Sequence, residues 1–144
     1  GIAGDDTDGH IDDFARFVAA DLIVAACESN PRDANHAPLA AARAQLRALC
    51  DLQGKPFRIA ELPMPPPHLV GAVRCPASYA NFYLANGVAL VPVFGAASDA
   101  RALAILRELL PGRDVVGVPA GFLVVGLGTL HCLSQQQPAP RAER

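Results

Sequence analysis

At 144 residues the chain is long enough for one domain with a sizeable core, and 51% apolar residues give it the material for one. Twelve lysines and arginines against fourteen acidic residues leave a formal net charge of −2 with no long block of either sign, which argues against nucleic acid or an anionic membrane as partner. Apolar runs such as Val18 to Cys27, itself broken by Asp21, fall short of the roughly 20 residues of a membrane-spanning helix, so the chain reads as soluble.

In chain order, Phe14 to Val18 and Leu22 to Cys27 read as two neighbouring strands. A helix is expected from Leu39, where Ala42, Leu46, Leu49 and Cys50 recur at helical spacing, with Asn35 placed to cap it and Gly54 closing the segment. Phe57 to Leu62 returns as a strand. After the proline-rich stretch Pro63 to Pro76, which suggests an irregular connection, the same order recurs. Tyr79 to Leu84 and Val88 to Phe94 form a hairpin across Ala-Asn-Gly, because Asn and Gly tolerate positive φ. Ser98 is placed to cap a helix faced by Leu103, Leu106 and Leu110, Pro111 and Gly112 stop it, and Val115 to Val118 is the returning strand.

Two ββαβ units are thus expected, at about residues 10–62 and 77–120, and repeat logic applies: neither buries its sheet face alone. Phe122 to Val125 and Leu130 to Leu133 flank a glycine-containing turn in a closing segment, 121–138, whose last run reads as a closing strand. Residues 139–144 form a polar tail. The four cysteines, Cys27, Cys50, Cys75 and Cys132, are too widely spaced for a zinc site or a disulfide scaffold, so reduced thiols in a cytoplasmic compartment are expected. The chain starts without a visible secretory signal.

Three clusters stand apart from core and turn. In Asp8-Gly9-His10-Ile11-Asp12 an imidazole and a carboxylate two positions apart share a face if the segment is extended. Gly126-Leu127-Gly128-Thr129-Leu130-His131-Cys132 is a glycine-permitted turn that delivers a cysteine beside a histidine, and Pro76 to Phe82, with Tyr79 and Asn81, is a polar and aromatic strand entry able to line a site. Taken singly, each has an ordinary explanation. An edge histidine is usually a surface residue, a strand-end cysteine usually a small buried hydrophobe, and two glycines are accounted for by turn geometry.

The runs DDTDGHIDDFARFV, PASYANFYLANGVALVPVFG and GLGTLHCLSQQQP, in this order and at these separations, resemble the C-terminal half of the agmatine deiminase family, which includes the bacterial porphyromonas-type peptidyl-arginine deiminases. The resemblance runs from about Gly4 to Pro138 and weakens over Pro65 to Cys75. It implies an α/β fold of pentein type, a five-bladed α/β propeller of ββαβ units around a polar channel, with about two blades and the closing strand in this chain. It also implies Cys132 as nucleophile, His10 as general acid and base, and Asp12 as one of two carboxylates that hold a guanidinium. The other carboxylate belongs to an N-terminal motif with no counterpart here.

The substrate class so implied is a primary guanidine on an alkyl chain, agmatine foremost, hydrolysed to N-carbamoylputrescine and ammonia. Peptidyl-arginine or arginine deimination is the alternative enzyme reading. Asp8, Asn81 and Gly128 are expected near the substrate, and no metal or organic cofactor is required. His131, if on a strand, points to the face opposite Cys132 and reads as structural. A reading of another class is a non-catalytic fragment, inactive by itself and inclined to associate into homo-oligomers through open flanks.

Overall fold

A computed structural model describes residues 1–7 and 9–137 of the chain. Asp8, Pro138 and the tail at 139–144 lie outside the described residues. The strands are β1 (Ala15–Ala19), β2 (Leu22–Cys27), β3 (Arg58–Pro63), β4 (His68–Val70), β5 (Val73–Cys75), β6 (Tyr83–Ala85), β7 (Val88–Val93) and β8 (Asp114–Pro119). The helices are α1 (His36–Arg47) and α2 (Ser98–Leu109), with 3₁₀ turns at Ile11–Asp13 and Leu123–Gly126. Among the described residues no helix is long and apolar enough to cross a membrane.

Both expected ββαβ units are present, with one topology. β1 pairs antiparallel with β2, which pairs parallel with β3 after the α1 crossover; β6, β7 and β8 repeat this around α2. Asn86 and Gly87 close the β6–β7 hairpin, as the Asn-Gly pair predicts, but of the two only Gly87 takes a positive φ, 76°. The two units share one core. Val24 and Leu62 from the first pack in a single cluster with Val91, Leu106 and Val115 from the second, and Tyr79, Ala80 and Phe82 plug the space between.

That plug explains one departure from expectation: Tyr79 to Phe82 is not strand, and β6 holds only Tyr83–Ala85. All four residues from Tyr79 to Phe82 are almost fully buried, whereas a strand at a sheet's surface turns alternate side chains outward. The hydroxyl of Ser78 accepts the Ala80 N–H at 3.1 Å, a local turn that competes with pairing.

Other expectations need correction. The proline-rich connection contains a hairpin, β4–β5, turned at Gly71 (φ 60°). α1 ends at Arg47, short of Leu49 and Cys50. Asn35 holds the N-cap position of α1 as expected, but its side chain accepts the Ala3 N–H at 2.6 Å instead of an α1 amide, whereas Ser98 is the first residue of α2, inside its cap, with its hydroxyl on Tyr79.

Among the described residues the closing strand is absent. Leu123–Gly126 is a 3₁₀ turn and residues 130–133 form a further turn, since Leu127 takes the left-handed conformation at φ 67° and reverses the chain. The amides of Thr129, His131 and Cys132 converge on one side chain, that of Asn81, and not on a neighbouring strand.

Candidate active site

The first and last sequence clusters meet over Asn81. The 3₁₀ turn Ile11–Asp13 follows His10, whose extended φ and ψ aim the chain into it, so the segment is not the uniform strand expected. His10 and Asp12 nevertheless face the same place: one ligand-type atom each from His10, Asp12 and Cys132 lie within 4.8 Å of one another. These residues, with Ile11, His131 and Ser134, line an open cleft of about 400 Å³. A larger cavity, about 720 Å³, lies around Phe94 and Phe122 and is mostly apolar.

Asn81 is only 1% exposed and holds the site together. Its Oδ1 accepts Thr129 N–H at 3.2 Å, the Thr129 hydroxyl at 2.9 Å, His131 N–H at 3.1 Å and Cys132 N–H at 3.3 Å. Its Nδ2 faces Asp12 Oδ2 at 3.0 Å, Asp13 Oδ1 at 2.8 Å and Cys132 Sγ at 3.0 Å. A carboxamide carries two amide protons, so these three acceptors compete for two bonds.

Cys132 Sγ also donates to Asp12 Oδ2 at 3.2 Å, and His131 Nδ1 sits 2.7 Å from the same oxygen. His131 therefore faces the site. The strand assumption that turned it away fails because residues 130–133 form a turn, in which neighbouring side chains need not alternate.

Burial works against the Asp12 carboxylate, but the hydrogen bonds from His131 and Cys132 outweigh it and hold its pKa below the ordinary value. For Asp13 the hydrogen bond from Asn81 is too little to compensate. Burial, then the neighbouring Asp12 charge, raises it to about 7. For Cys132, partial burial pushes the thiol up, the Asn81 amide pulls it down, and Asp12 and Asp13 push it up again, leaving it above its ordinary value. An unaided thiolate is therefore a minority form near neutrality.

Gly128 is explained by packing: a Cβ there would stand 2.5 Å from Cys132 Cβ and 3.0 Å from its Sγ. Tyr79, by contrast, turns from the site to Ser98 at 2.7 Å and Asp99 at 2.5 Å. Asp8 lies outside the described residues. Sequence reasoning missed Asp13, Thr129 and the inward course of His131. The acidic doublet Asp12-Asp13 was a visible signal; Thr129 offered none beyond its place beside the cysteine. As a donor set, one thiol, one imidazole and one carboxylate is of the kind that Zn²⁺ accepts.

The family model of the Porphyromonas-type peptidyl-arginine deiminases matches residues 1–138. The chain belongs to that family. Similar proteins include the agmatine deiminase of Pseudomonas fluorescens strain SBW25, 35% identical over 158 aligned positions that cover 97% of this chain and 43% of that protein. Among solved structures, a cysteine-to-serine variant of the C. jejuni agmatine deiminase with substrate bound matches with a TM-score of 0.83 and 33% identity, over 91% of this chain and 38% of that one. The agmatine deiminase of Enterococcus faecalis matches with a TM-score of 0.88 and 26% identity, over 96% and 43%. This deiminase-family chain thus spans about two-fifths of the length of the relatives it matches.

Proposed function

We propose that the chain carries the nucleophile-bearing part of a guanidine deiminase site, in a pentein-type propeller, and that its substrate is agmatine. The observation that carries this reading is the convergence of Cys132, His10 and Asp12 from opposite ends of the chain within 4.8 Å. Names of relatives add weight: agmatine deiminases align along nearly the whole chain, and a cysteine-to-serine variant of one was captured with substrate.

All three bonds that Asp12 receives from His131, Asn81 and Cys132 end on Oδ2, which leaves Oδ1 to accept an N–H of the guanidinium plane. That pairing fixes the guanidinium carbon over Sγ. The arriving cation also offsets the Asp12 and Asp13 charges that oppose ionisation of Cys132. Sγ, as thiolate, adds to the carbon. A C–N bond of this tetrahedral adduct then breaks as the protonated His10 gives the leaving nitrogen a proton, and ammonia departs, leaving a covalent thiouronium on Cys132. His10, now neutral, takes a proton from water, and the hydroxyl adds to the same carbon. The C–S bond breaks as the hydroxyl proton passes to solvent, where the released ammonia takes it up as ammonium, and N-carbamoylputrescine leaves with the thiolate and the protonated His10 restored. Asn81 and Gly128 keep Cys132 in place, and Asp8 belongs to the segment that leads to His10.

The test is ureido-product formation from agmatine, arginine and a blocked peptidyl-arginine, with Cys132→Ser in parallel. Agmatine should be converted fastest and the serine variant should be inert. Product from Cys132→Ser would overturn the covalent route; arginine or peptidyl-arginine as the better substrate would replace agmatine; inertness towards all three would leave the second reading, a chain that does not catalyse unaided. That second reading is favoured by the 96% exposure of Phe122 beside a mostly apolar cavity, a surface suited to packing against further protein.

A further inference from the structure

Arg16 has no part in the chemistry above, yet its surroundings are unusual for a cation. It lies on β1, three residues after Asp13, and is partly buried. Its Nη1 donates to the Phe82 carbonyl at 2.7 Å and approaches the Ala80 carbonyl at 3.4 Å, the two carbonyls that flank Asn81. The guanidinium carbon stands 4.8 Å from the centroid of the Phe82 ring. These partners are carbonyls and a π face, not a carboxylate, so the positive charge is left without an ion pair at contact distance among the described residues.

We propose that Arg16 is a positioning residue for Cys132: it clamps the backbone on both sides of Asn81 and sets a fixed positive charge behind the reactive thiol. The proposal rests on the reading of Cys132 as the nucleophile.

Two lines support it. Geometrically, every side-chain bond that ties the Cys132 turn to Asp12 passes through Asn81 or Asp12 itself, and the peptide frame of Asn81 is what Arg16 grips. A shift of that frame by a few tenths of an ångström would move the Asn81 amide relative to Sγ.

Electrostatically, burial disfavours the Arg16 charge, and the anionic forms of Asp12 and Cys132 favour it. Interaction between two charges is mutual, so Arg16 favours the Cys132 thiolate in return. It acts at longer range than the direct contacts of Asn81 and Asp12. The other ionisable groups around the thiol are Asp12 and Asp13, which oppose the thiolate, and the imidazoles of His10 and His131.

The test follows alkylation of Cys132 by iodoacetamide from pH 6 to 10, with the modified residue located by mass spectrometry so that Cys27, Cys50 and Cys75 do not confuse the rate. Arg16→Met keeps most of the stem against Phe82 and removes the charge; Arg16→Lys restores the charge. At pH 8 the methionine variant should react about three- to ten-fold more slowly, the range expected for loss of one partly screened charge. Its profile should be displaced to higher pH, and lysine should recover at least half of the loss on a logarithmic scale.

A role in stability alone would lower the melting temperature and leave the midpoint of the profile where it is. An unmoved midpoint in folded Arg16→Met, or a lysine variant no better than methionine, would overturn the proposal. If Arg16→Met does not fold, Arg16→Gln, uncharged but still able to donate to the Phe82 carbonyl, replaces it under the same criteria. Because turnover is not the readout, active Cys132→Ser protein would overturn the covalent route without deciding this result.

Discussion

Truncation of Asn81 to alanine separates a structural hub from an ordinary buried amide. Removing the carboxamide leaves the His131 N–H with the Asn81 carbonyl at 3.2 Å, and the Thr129 hydroxyl with the same carbonyl at 3.4 Å. Cys132 is exposed enough for water to reach its amide. Two groups lose their partner where water enters poorly: the Thr129 N–H and the Asp13 carboxyl, each in a residue 1% exposed. At about 1–3 kcal/mol for each stranded buried group, the loss should be roughly 3 kcal/mol. For a chain of this size that corresponds to a fall of about 10 °C in melting temperature. Urea unfolding of the chain with and without Asn81→Ala, followed by circular dichroism, measures it. The cost should be larger at pH 8 than at pH 5.5, because Asp13, with a pKa raised to about 7, is then ionised and has lost its amide. A loss below about 1 kcal/mol at both pH values would refute the description of Asn81 as a hub.

Replacing Gly128 with alanine puts a Cβ 2.5 Å from Cys132 Cβ, so it should displace the thiol, slow alkylation of Cys132 by about ten-fold or more and cost about 1–3 kcal/mol; an unchanged rate would show that the turn gives way freely. Asp13→Asn should flatten the dependence of stability on pH. The folded-state value of about 7 stands above the ordinary 3.8, so the stability linked to this proton is complete below about pH 4 and lost as pH rises to about 7, and the variant should lose on the order of 2–4 kcal/mol of that decline in unfolding measured at pH 4.5 and 8. Tyr79→Phe removes a hydroxyl bonded to Ser98 and Asp99; it should cost about 1 kcal/mol in unfolding and leave the alkylation profile of Cys132 unmoved.

The elements that the sequence revealed are those whose period reaches the core. β2, Leu22–Cys27, is an uninterrupted apolar run and is buried along almost its whole length; α2 is found from Leu103, Leu106 and Leu110. The repeated ββαβ order was readable for the same reason. What was hidden depends on partners far away in sequence. Leu130 to Leu133 has the composition of a short strand, but the preceding amide of Thr129 and those of His131 and Cys132 are taken by a side chain about 50 residues earlier, which no periodicity reports. Asn35 and Ser98 are residues that suit a cap, and each finds a tertiary partner instead. Cys132, His10 and Asp12 could be named only because three motifs recur together. Asn81 was expected near the substrate, but its role as the bridge between Asp12 and Cys132 became visible only when Tyr79 to Phe82 proved to be a buried plug and not a strand.

The bonds that define the cleft span 69 residues from Asn81 to Asp12, 51 from Asn81 to Cys132 and 119 from Asp12 to His131. Loops of that length close late, after local helices and hairpins have formed. In a half-folded chain Cys132 would behave as an ordinary thiol, with neither Asn81 donating to it nor Asp12 beside it. Its rate of modification therefore serves as a clock for folding, one that changes only when the two repeats have docked across the plug and both ends of the chain have arrived.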